Sequence, residues 1–397
     1  MPSFNTIASL NVSGKTVLVR ADLNVPAKDG QVTDTTRIDR FVPTALDLAA
    51  RGAKVVILSH FGRPKGGPDA QYSLKIVLPA LEKAAGCKIS WADDCIGPAA
   101  EAVVRGMKSG EMALLENLRF HPEEEKNDLD FAKRLAFLGD FYVNDAFSCA
   151  HRAHSSTEAI ARLLPNAAGL LMQAELEALS RALENPEKPV IAIVGGAKIS
   201  TKLDLLGNLA SKVNILALGG GMANTFLFAK GVNVGSSLCE KDMAENARAI
   251  MARASACGCR ILLPTDAVIA SELKEGAATA TVGINAIPEG KMMLDIGPAS
   301  IAELRETLSG CKTCVWNGPL GAFETKPFDA GTIAVAQYAA ELVASRKLLA
   351  VAGGGDTVSA LAAAGVEDKL SYVSAAGGAF LEWLEGKQLP GVVALMH

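Results

Sequence analysis

Pro189-Val-Ile-Ala-Ile-Val194 runs directly into Gly195-Gly196-Ala197-Lys198. An apolar run of strand length without polar alternation fits a strand covered by helices on both faces. The same unit recurs downstream. Asn214-Ile-Leu-Ala-Leu218 leads into Gly219-Gly220-Gly221, and Arg260-Ile-Leu-Leu263 follows. Thr313-Cys-Val-Trp316 leads into Asn317-Gly318-Pro319-Leu-Gly321, and Lys347-Leu-Leu-Ala-Val351 leads by way of Ala352 into Gly353-Gly354-Gly355-Asp356-Thr357. Ser371-Tyr-Val-Ser374 is the last such run.

Upstream, Thr16-Val-Leu-Val-Arg20, Lys54-Val-Val-Ile-Leu58, Met112-Ala-Leu-Leu115 and Phe141-Tyr-Val-Asn144 read as strands of a second set. Helical spacing over 37–50, 128–138 and 241–256 falls between runs. Alternating strand and helix predicts parallel sheets with right-handed crossovers. The expected fold class is α/β, with two doubly wound, Rossmann-like domains. Apolar residues at helical spacing over 168–183, ended by Asn185, Pro186 and Pro189, predict a helix joining them. The expected division is 1–167, a linking helix over 168–185, 186–375, and a segment 376–397 that returns to the first domain.

A length of 397 residues agrees with two domains. Hydrophobic residues at 49% and charged residues at 21% describe a globular chain. A net charge of -4 and only 5% aromatics argue against a nucleic-acid partner. No apolar stretch reaches the roughly 20 residues of a membrane helix, and no secretory pattern opens the chain. The expected compartment is the cytoplasm. The eight cysteines include Cys257-x-Cys259 and Cys311-x-x-Cys314, which leave an all-thiolate zinc site open beside buried, reduced thiols.

Ligands of open parallel sheets bind beyond the carboxyl ends of the strands. In the first half those places hold Asp22 and Asn24, Ser59-His60-Phe61-Gly62-Arg63, Glu116-Asn-Leu-Arg119-Phe-His121, and Asp145 through His151, Arg152 and His154, with Arg37 at a helix start. Such a set predicts a positive cleft for a small ligand carrying phosphate and carboxylate. In the second half glycines take the same places. They let backbone approach a nucleotide and leave N–H groups free for phosphate. A helix starting at Asp356-Thr357 adds its dipole, and Asp356 suits phosphate-bound Mg²⁺. Lys198 and Lys202, four apart, would share a face on a helix. The P-loop, dinucleotide, protein-kinase and serine-hydrolase signatures are absent.

The chain resembles the phosphoglycerate kinase family over nearly its whole length. The resemblance rests on Arg20-Ala-Asp-Leu-Asn-Val-Pro26, Ser59-His-Phe-Gly-Arg-Pro64, Leu115-Glu-Asn-Leu-Arg-Phe-His121, Asn144-Asp-Ala-Phe147 and Ala150-His-Arg-Ala-His154. It rests equally on Gly195-Gly-Ala-Lys-Ile-Ser-Thr-Lys202, Gly219-Gly-Gly-Met-Ala-Asn-Thr-Phe226, Trp316-Asn-Gly-Pro319 and Gly353-Gly-Gly-Asp-Thr357. Phe61 stands where many members have Leu, and Ser148-Cys149 precedes Ala150.

The resemblance implies reversible phosphoryl transfer from 1,3-bisphosphoglycerate to MgADP, giving 3-phosphoglycerate and MgATP. It places the acid on Asp22, Leu23, Asn24, Arg37, His60, Phe61, Gly62, Arg63, Arg119 and Arg152. It places the nucleotide on Lys202, Gly219, Gly220, Pro319, Glu324, Gly354, Gly355, Asp356 and Thr357, with Mg²⁺ served by Asp356. Arg37, Lys198, Gly354 and Gly355 would hold the transferring group. A monomer is implied, with hinge bending at the 168–183 helix and after Ser374. A dehydrogenase on the same fold class would need the missing dinucleotide fingerprint. A non-catalytic relative would lack Lys198, Arg37 or Asp356, and all three are present.

Overall fold

The computed structural model describes residues 4–396. Two compact units divide it, one of residues up to Glu177 together with those from Gln388 onward, the other Ala178–Lys387.

In the first unit, strands β1 (Thr16–Arg20), β4 (Lys54–Leu58), β5 (Ile89–Ala92), β6 (Met112–Leu115), β7 (Phe141–Asn144) and β8 (Asn166–Ala168) form one parallel sheet ordered β5-β6-β4-β1-β7-β8. The hairpin β2 (Ala27–Lys28) and β3 (Gln31–Val32) lies outside it. Helices α1 (Thr36–Ala50), α2 (Leu78–Ala85), α3 (Gly97–Gly106) and α4 (Leu129–Ala136) connect the strands, and α13 (Pro390–Val393) ends the unit. In α4, Asp128 caps the start by accepting from Phe131 N–H, and Phe131, Ala132 and Leu135 are the buried face. α5 (Leu170–Leu179) carries the chain from one unit into the next.

In the second unit, β9 (Val190–Val194), β10 (Ile215–Leu218), β11 (Arg260–Leu262), β15 (Thr313–Asn317), β16 (Leu349–Gly353) and β17 (Tyr372–Ser374) form a parallel sheet ordered β11-β10-β9-β15-β16-β17. An antiparallel sheet of β12 (Asp266–Ala270), β13 (Ala280–Gly283) and β14 (Met292–Ile296) accompanies it. Helices are α6 (Leu203–Leu209), α7 (Gly220–Ala229), α8 (Ala244–Ala256), α9 (Pro298–Ser309), α10 (Ala330–Ala344), α11 (Gly355–Ala363) and α12 (Gly377–Leu384). The expected returning segment 376–397 is therefore divided. α12 packs on α6 in the second unit, and the chain joins the first unit from Gln388.

The apolar runs are buried from both sides. Val190, Ile191, Ala192 and Ile193 are all 0% exposed, and Ile191, Ile193, Trp316 and Ala352 share a core with α9–α11 residues such as Leu308 and Val335. Val17, Val19, Val55 and Ile57 pack with Phe41 and Leu48 of α1. Each fully buried aliphatic side chain stabilises by roughly 1.5–3 kcal/mol. That explains why these runs could be read as strands.

Three buried aspartates fasten helix starts to neighbouring strands. Asp145, just after β7, accepts from Leu171 N (2.9 Å) and Met172 N (3.1 Å) of α5. Asp266 of β12 accepts from Ala299 N and Ser300 N of α9, and Asp295 of β14 from Gly331 N of α10. Each satisfies donors a helix leaves open at its start. Replacing Asp145 with alanine is expected to destabilise the protein by about 1–2 kcal/mol, read as a lower urea midpoint. An unchanged midpoint would remove the capping role.

Candidate functional site

The strand orders mark where ligand sites are expected. Counted along the chain, the first parallel sheet reads 3-4-2-1-5-6 and the second 3-2-1-4-5-6. The order reverses between β1 and β7 in the first and between β9 and β15 in the second. Ligands of doubly wound sheets bind at such reversals, beyond the carboxyl ends.

At the first reversal, Arg37 of α1 gives Nη1 to Asp22 Oδ2 at 2.8 Å and to Asn24 O at 3.0 Å. Its side chain stays 40% exposed, so the rest of the fork faces solvent. Ser148 Oγ also donates to Asp22 Oδ2. Asn24 Oδ1 accepts from Gly62 N at 2.9 Å, which ties the β1 loop to the β4 loop. Arg119 gives Nη1 to Gly62 O at 2.8 Å. Its Nε lies 2.9 Å from Glu125 Oε1, close enough for an ion pair but not aligned as a hydrogen bond. His60 and Arg119 are buried, whereas Arg63 and Arg152 are exposed. Leu23 is 0% exposed and Phe61 8%, so these two belong to the packing, and their N–H groups are taken by Ser59 Oγ and Asn117 Oδ1. Of the strand-end histidines, His121 stands apart and pairs with Asp94 at 2.7 Å.

Burial, then Arg20, Arg119, Arg152 and His154, hold His60 well below the ordinary histidine range. Burial and the same arginines push His154 down to about 4. Expecting His60 and His154 to add cationic charge is thus corrected, because desolvation beside guanidinium groups disfavours their protonated form. Arg20, to which sequence reasoning gave no role, is 1% exposed at the end of β1. A charged residue closing an apolar strand was the available signal.

At the second reversal, Lys202 Nζ donates to Gly195 O and to Asn317 Oδ1, each at 2.7 Å. Asn317 Nδ2 donates to Gly353 O at 2.9 Å, so one side chain joins the exits of β9, β15 and β16. This asparagine was quoted in the motif but given no role; a polar residue closing a buried strand marked it. Thr357 Oγ1 donates to Gly353 O at 2.9 Å and accepts from Gly318 N at 2.7 Å, so its hydroxyl is spent inside the fold. Residues 195–202 form a turn and α6 begins only at Leu203, so Lys198 and Lys202 share no helix face. Lys202 points into the turn and Lys198 is exposed.

The glycines divide into two kinds. A Cβ on Gly195 would lie 1.7 Å from Pro319 O, and one on Gly219 2.7 Å from Leu320 Cα. These glycines let loops stack on each other, with Pro319 buried between them. Gly220 serves the same packing. Gly355 differs, with nothing within 4 Å of its Cβ position, and it opens α11 next to the exposed Asp356. Gly354 before it has φ +102, a conformation other residues rarely adopt. Glu324 is exposed on the β15 loop.

Among the described residues two clusters collect metal-ligand atom types, Asp22-His60-Cys149 and Asp94-Cys95-His121. In the second, Asp94 Oδ1 already accepts from His121 Nε2 and from Cys95 N, and burial raises the Cys95 thiol well above its usual range. In the first, His60 Nδ1 is engaged by Arg20. All eight cysteines are free thiols. Burial pushes Cys259 up to about 11 and also raises Cys311 and Cys314, and Cys257, Cys259, Cys311 and Cys314 form no metal-ligand group among the described residues.

The comparisons with known proteins agree with this geometry. The phosphoglycerate kinase family model matches residues 7–387. The phosphoglycerate kinase of Rhodospirillum centenum is 62% identical over 393 residues, 99% of each chain. That of Rhizobium leguminosarum is 60% identical over 396 residues, covering 100% of this chain and 99% of the other. Among solved structures, phosphoglycerate kinase from Coxiella burnetii superposes with TM-score 0.93 at 42% identity, covering 99% of both chains. Strand order, switch-point chemistry and similarity over the full length converge, and the chain belongs to the phosphoglycerate kinase family.

Proposed function

We propose that the two switch points serve the two substrates of one reaction, the acid on the first unit and the nucleotide on the second. The reaction is reversible transfer of a phosphoryl group between 1,3-bisphosphoglycerate and ADP, with the carboxyl group of 3-phosphoglycerate as acceptor in the reverse direction. The observation that carries the assignment is their contrast: guanidinium groups with Asp22 and Asn24 at one, an ammonium and an open helix N-terminus at the other.

Arg37, Arg63, Arg119 and Arg152 supply planar forks for carboxylate and phosphate. Asp22 and Asn24 add acceptors for a hydroxyl. Lys202 and the N–H groups of Gly354, Gly355 and Asp356 suit nucleotide phosphates. Glu324 is placed for ribose hydroxyls, and Gly219, Gly220 and Pro319 for the base side. Asp356, an exposed carboxylate beside the open position at Gly355, fits Mg²⁺, which is commonly held by one or two carboxylates, water and phosphates. When bound with the nucleotide, that ion neutralises phosphate charge. Transfer is direct and in line, because an acyl phosphate is already activated and needs alignment and charge neutralisation only. A coupled assay with 3-phosphoglycerate, ATP and Mg²⁺ tests the function; no turnover there, or turnover with a nicotinamide cofactor instead, would overturn it.

Both substrates must meet with water excluded. We therefore expect compaction in solution scattering only when both are bound, and an unchanged radius of gyration would count against closure. The enzyme is taken to act as a cytoplasmic monomer.

Lys202 makes nucleotide binding pH-dependent. Burial lowers it from 10.5 to about 8, with Asp356 opposing. The ammonium is charged below that value and lost above it. Nucleotide affinity is expected to fall as pH rises through about 8, followed by calorimetry. Lys202→Arg, charged throughout, should remove this limb. A limb that survives in the arginine variant belongs to another group.

A further inference from the structure

We infer that His60 meets the acid substrate as a neutral ring protonated on Nε2, and that buried Arg20 is the positioning residue that fixes this form. The inference rests on the reading of the first unit as the acid site.

Arg20 Nη2 lies 3.1 Å from His60 Nδ1, and both residues are buried. A guanidinium group has only donors and keeps its proton in proteins. Nδ1 must therefore offer its lone pair. A hydrogen on Nδ1 would face the guanidinium hydrogen, and an imidazolium carries one there. While the contact holds, the ring is neutral and its hydrogen is on Nε2.

Arg20 is fixed on its other sides. Nε donates to Ser156 Oγ at 2.8 Å, and Nη1 donates to Ala21 O. Ser156 gives Oγ to Glu124 Oε1 at 2.5 Å and its N–H to Glu124 Oε2 at 3.0 Å, so the guanidinium charge is relayed to a wholly buried carboxylate. The histidine is fixed as well, since neighbouring Ser59 Oγ donates to Ala21 O and accepts from Leu23 N. The other groups facing the ring have the same sense: Arg119, Arg152 and His154 all disfavour a second proton, and Cys149 is held as the thiol by burial. Asp22, the nearby carboxylate, is engaged by Arg37 and Ser148.

The chemistry differs from that of a cationic histidine. An Nε2–H donor of fixed direction recognises a carboxylate or phosphate oxygen, and its strength does not change across the range where free histidine titrates.

The test is nitrogen NMR of the histidine rings in the full-length protein labelled with ¹⁵N-histidine. His60 is assigned by the signals lost in His60→Gln. From about pH 5 to pH 8 the expected result is one pyrrole-type nitrogen at Nε2 and one pyridine-type nitrogen at Nδ1. A hydrogen on Nδ1, or imidazolium shifts in that range, overturns the inference. Saturating 3-phosphoglycerate should move the Nε2 signal and leave Nδ1 in place; the converse also overturns it. In Arg20→Gln, whose amide can donate or accept, and in Arg20→Met, which offers Nδ1 no donor, the two tautomers should mix. A pure Nε2–H ring in a folded variant of either kind removes Arg20 from the role. The ring states are read without substrate, so they stand or fall separately from the coupled assay, and the unmodified protein decides the tautomer even where a variant does not fold.

Discussion

Replacing Lys198 with alanine is expected to lower turnover by on the order of a hundredfold or more while changing nucleotide affinity far less. Lys198 is exposed on the turn after β9 and forms no ion pair among the described residues. The turn itself is held. Ser200 gives its N–H and Oγ to Glu240 at 3.0 and 2.6 Å, and Gly196 O accepts from Met222 N at 3.0 Å. A firm turn thus carries a long side chain ending in a compact charge, which can follow a phosphoryl group as it moves between donor and acceptor. A contact strongest at the transition state lowers kcat and kcat/KM together and leaves ground-state binding nearly intact. Lys202 is the useful contrast. Its ammonium joins Gly195 to Asn317, so removing it should weaken nucleotide binding and loosen the loop. Steady-state kinetics with calorimetric nucleotide titration separate the two lysines. Near-normal turnover in Lys198→Ala would sink the assignment.

That contrast shows what the sequence could and could not disclose. Strands buried on both faces were legible because nothing polar interrupts them, as in Val190–Val194. The two edge strands of the first sheet were not. Ile89–Ala92 is buried only at its two ends, with Ser90 exposed between them, and Asn166–Ala168 is short, without a β-branched residue. The antiparallel sheet was missed for a related reason. Ala280–Gly283 is mostly exposed, and no α-helix separates it from its neighbours in the chain. The glycines stood at the right places, but their reasons differ. At Gly195 and Gly219 the close partner is the protein's own backbone, and only the opening at Gly355 matches the expectation of room for a ligand. Charge state was the least legible property. His60 and Arg20 are 40 positions apart in the sequence, and only folding brings them to 3.1 Å and settles which of them is charged.

Arg37→Ala is the matching prediction for the first unit, with turnover again expected to fall by on the order of a hundredfold or more. Arg37 sits in the first turn of α1, and its anchors, Asp22 Oδ2 and Asn24 O, use the Nη1 end. The anchoring fixes the plane of the fork, so its free edge meets a phosphoryl group without further ordering. Lysine keeps the charge but lacks the second donor pair, so Arg37→Lys should recover only part of the loss. Were Arg37 merely an acid-binding residue, the KM for 3-phosphoglycerate would rise with kcat unchanged. The double variant gives the stricter measure. If Arg37 and Lys198 neutralise the same phosphoryl group in one transition state, removing either already forfeits much of the shared stabilisation. Arg37→Ala combined with Lys198→Ala should then cost well below the product of the single losses. Fully multiplicative losses would mean that the two residues act at separate steps, and the shared assignment would have to be abandoned.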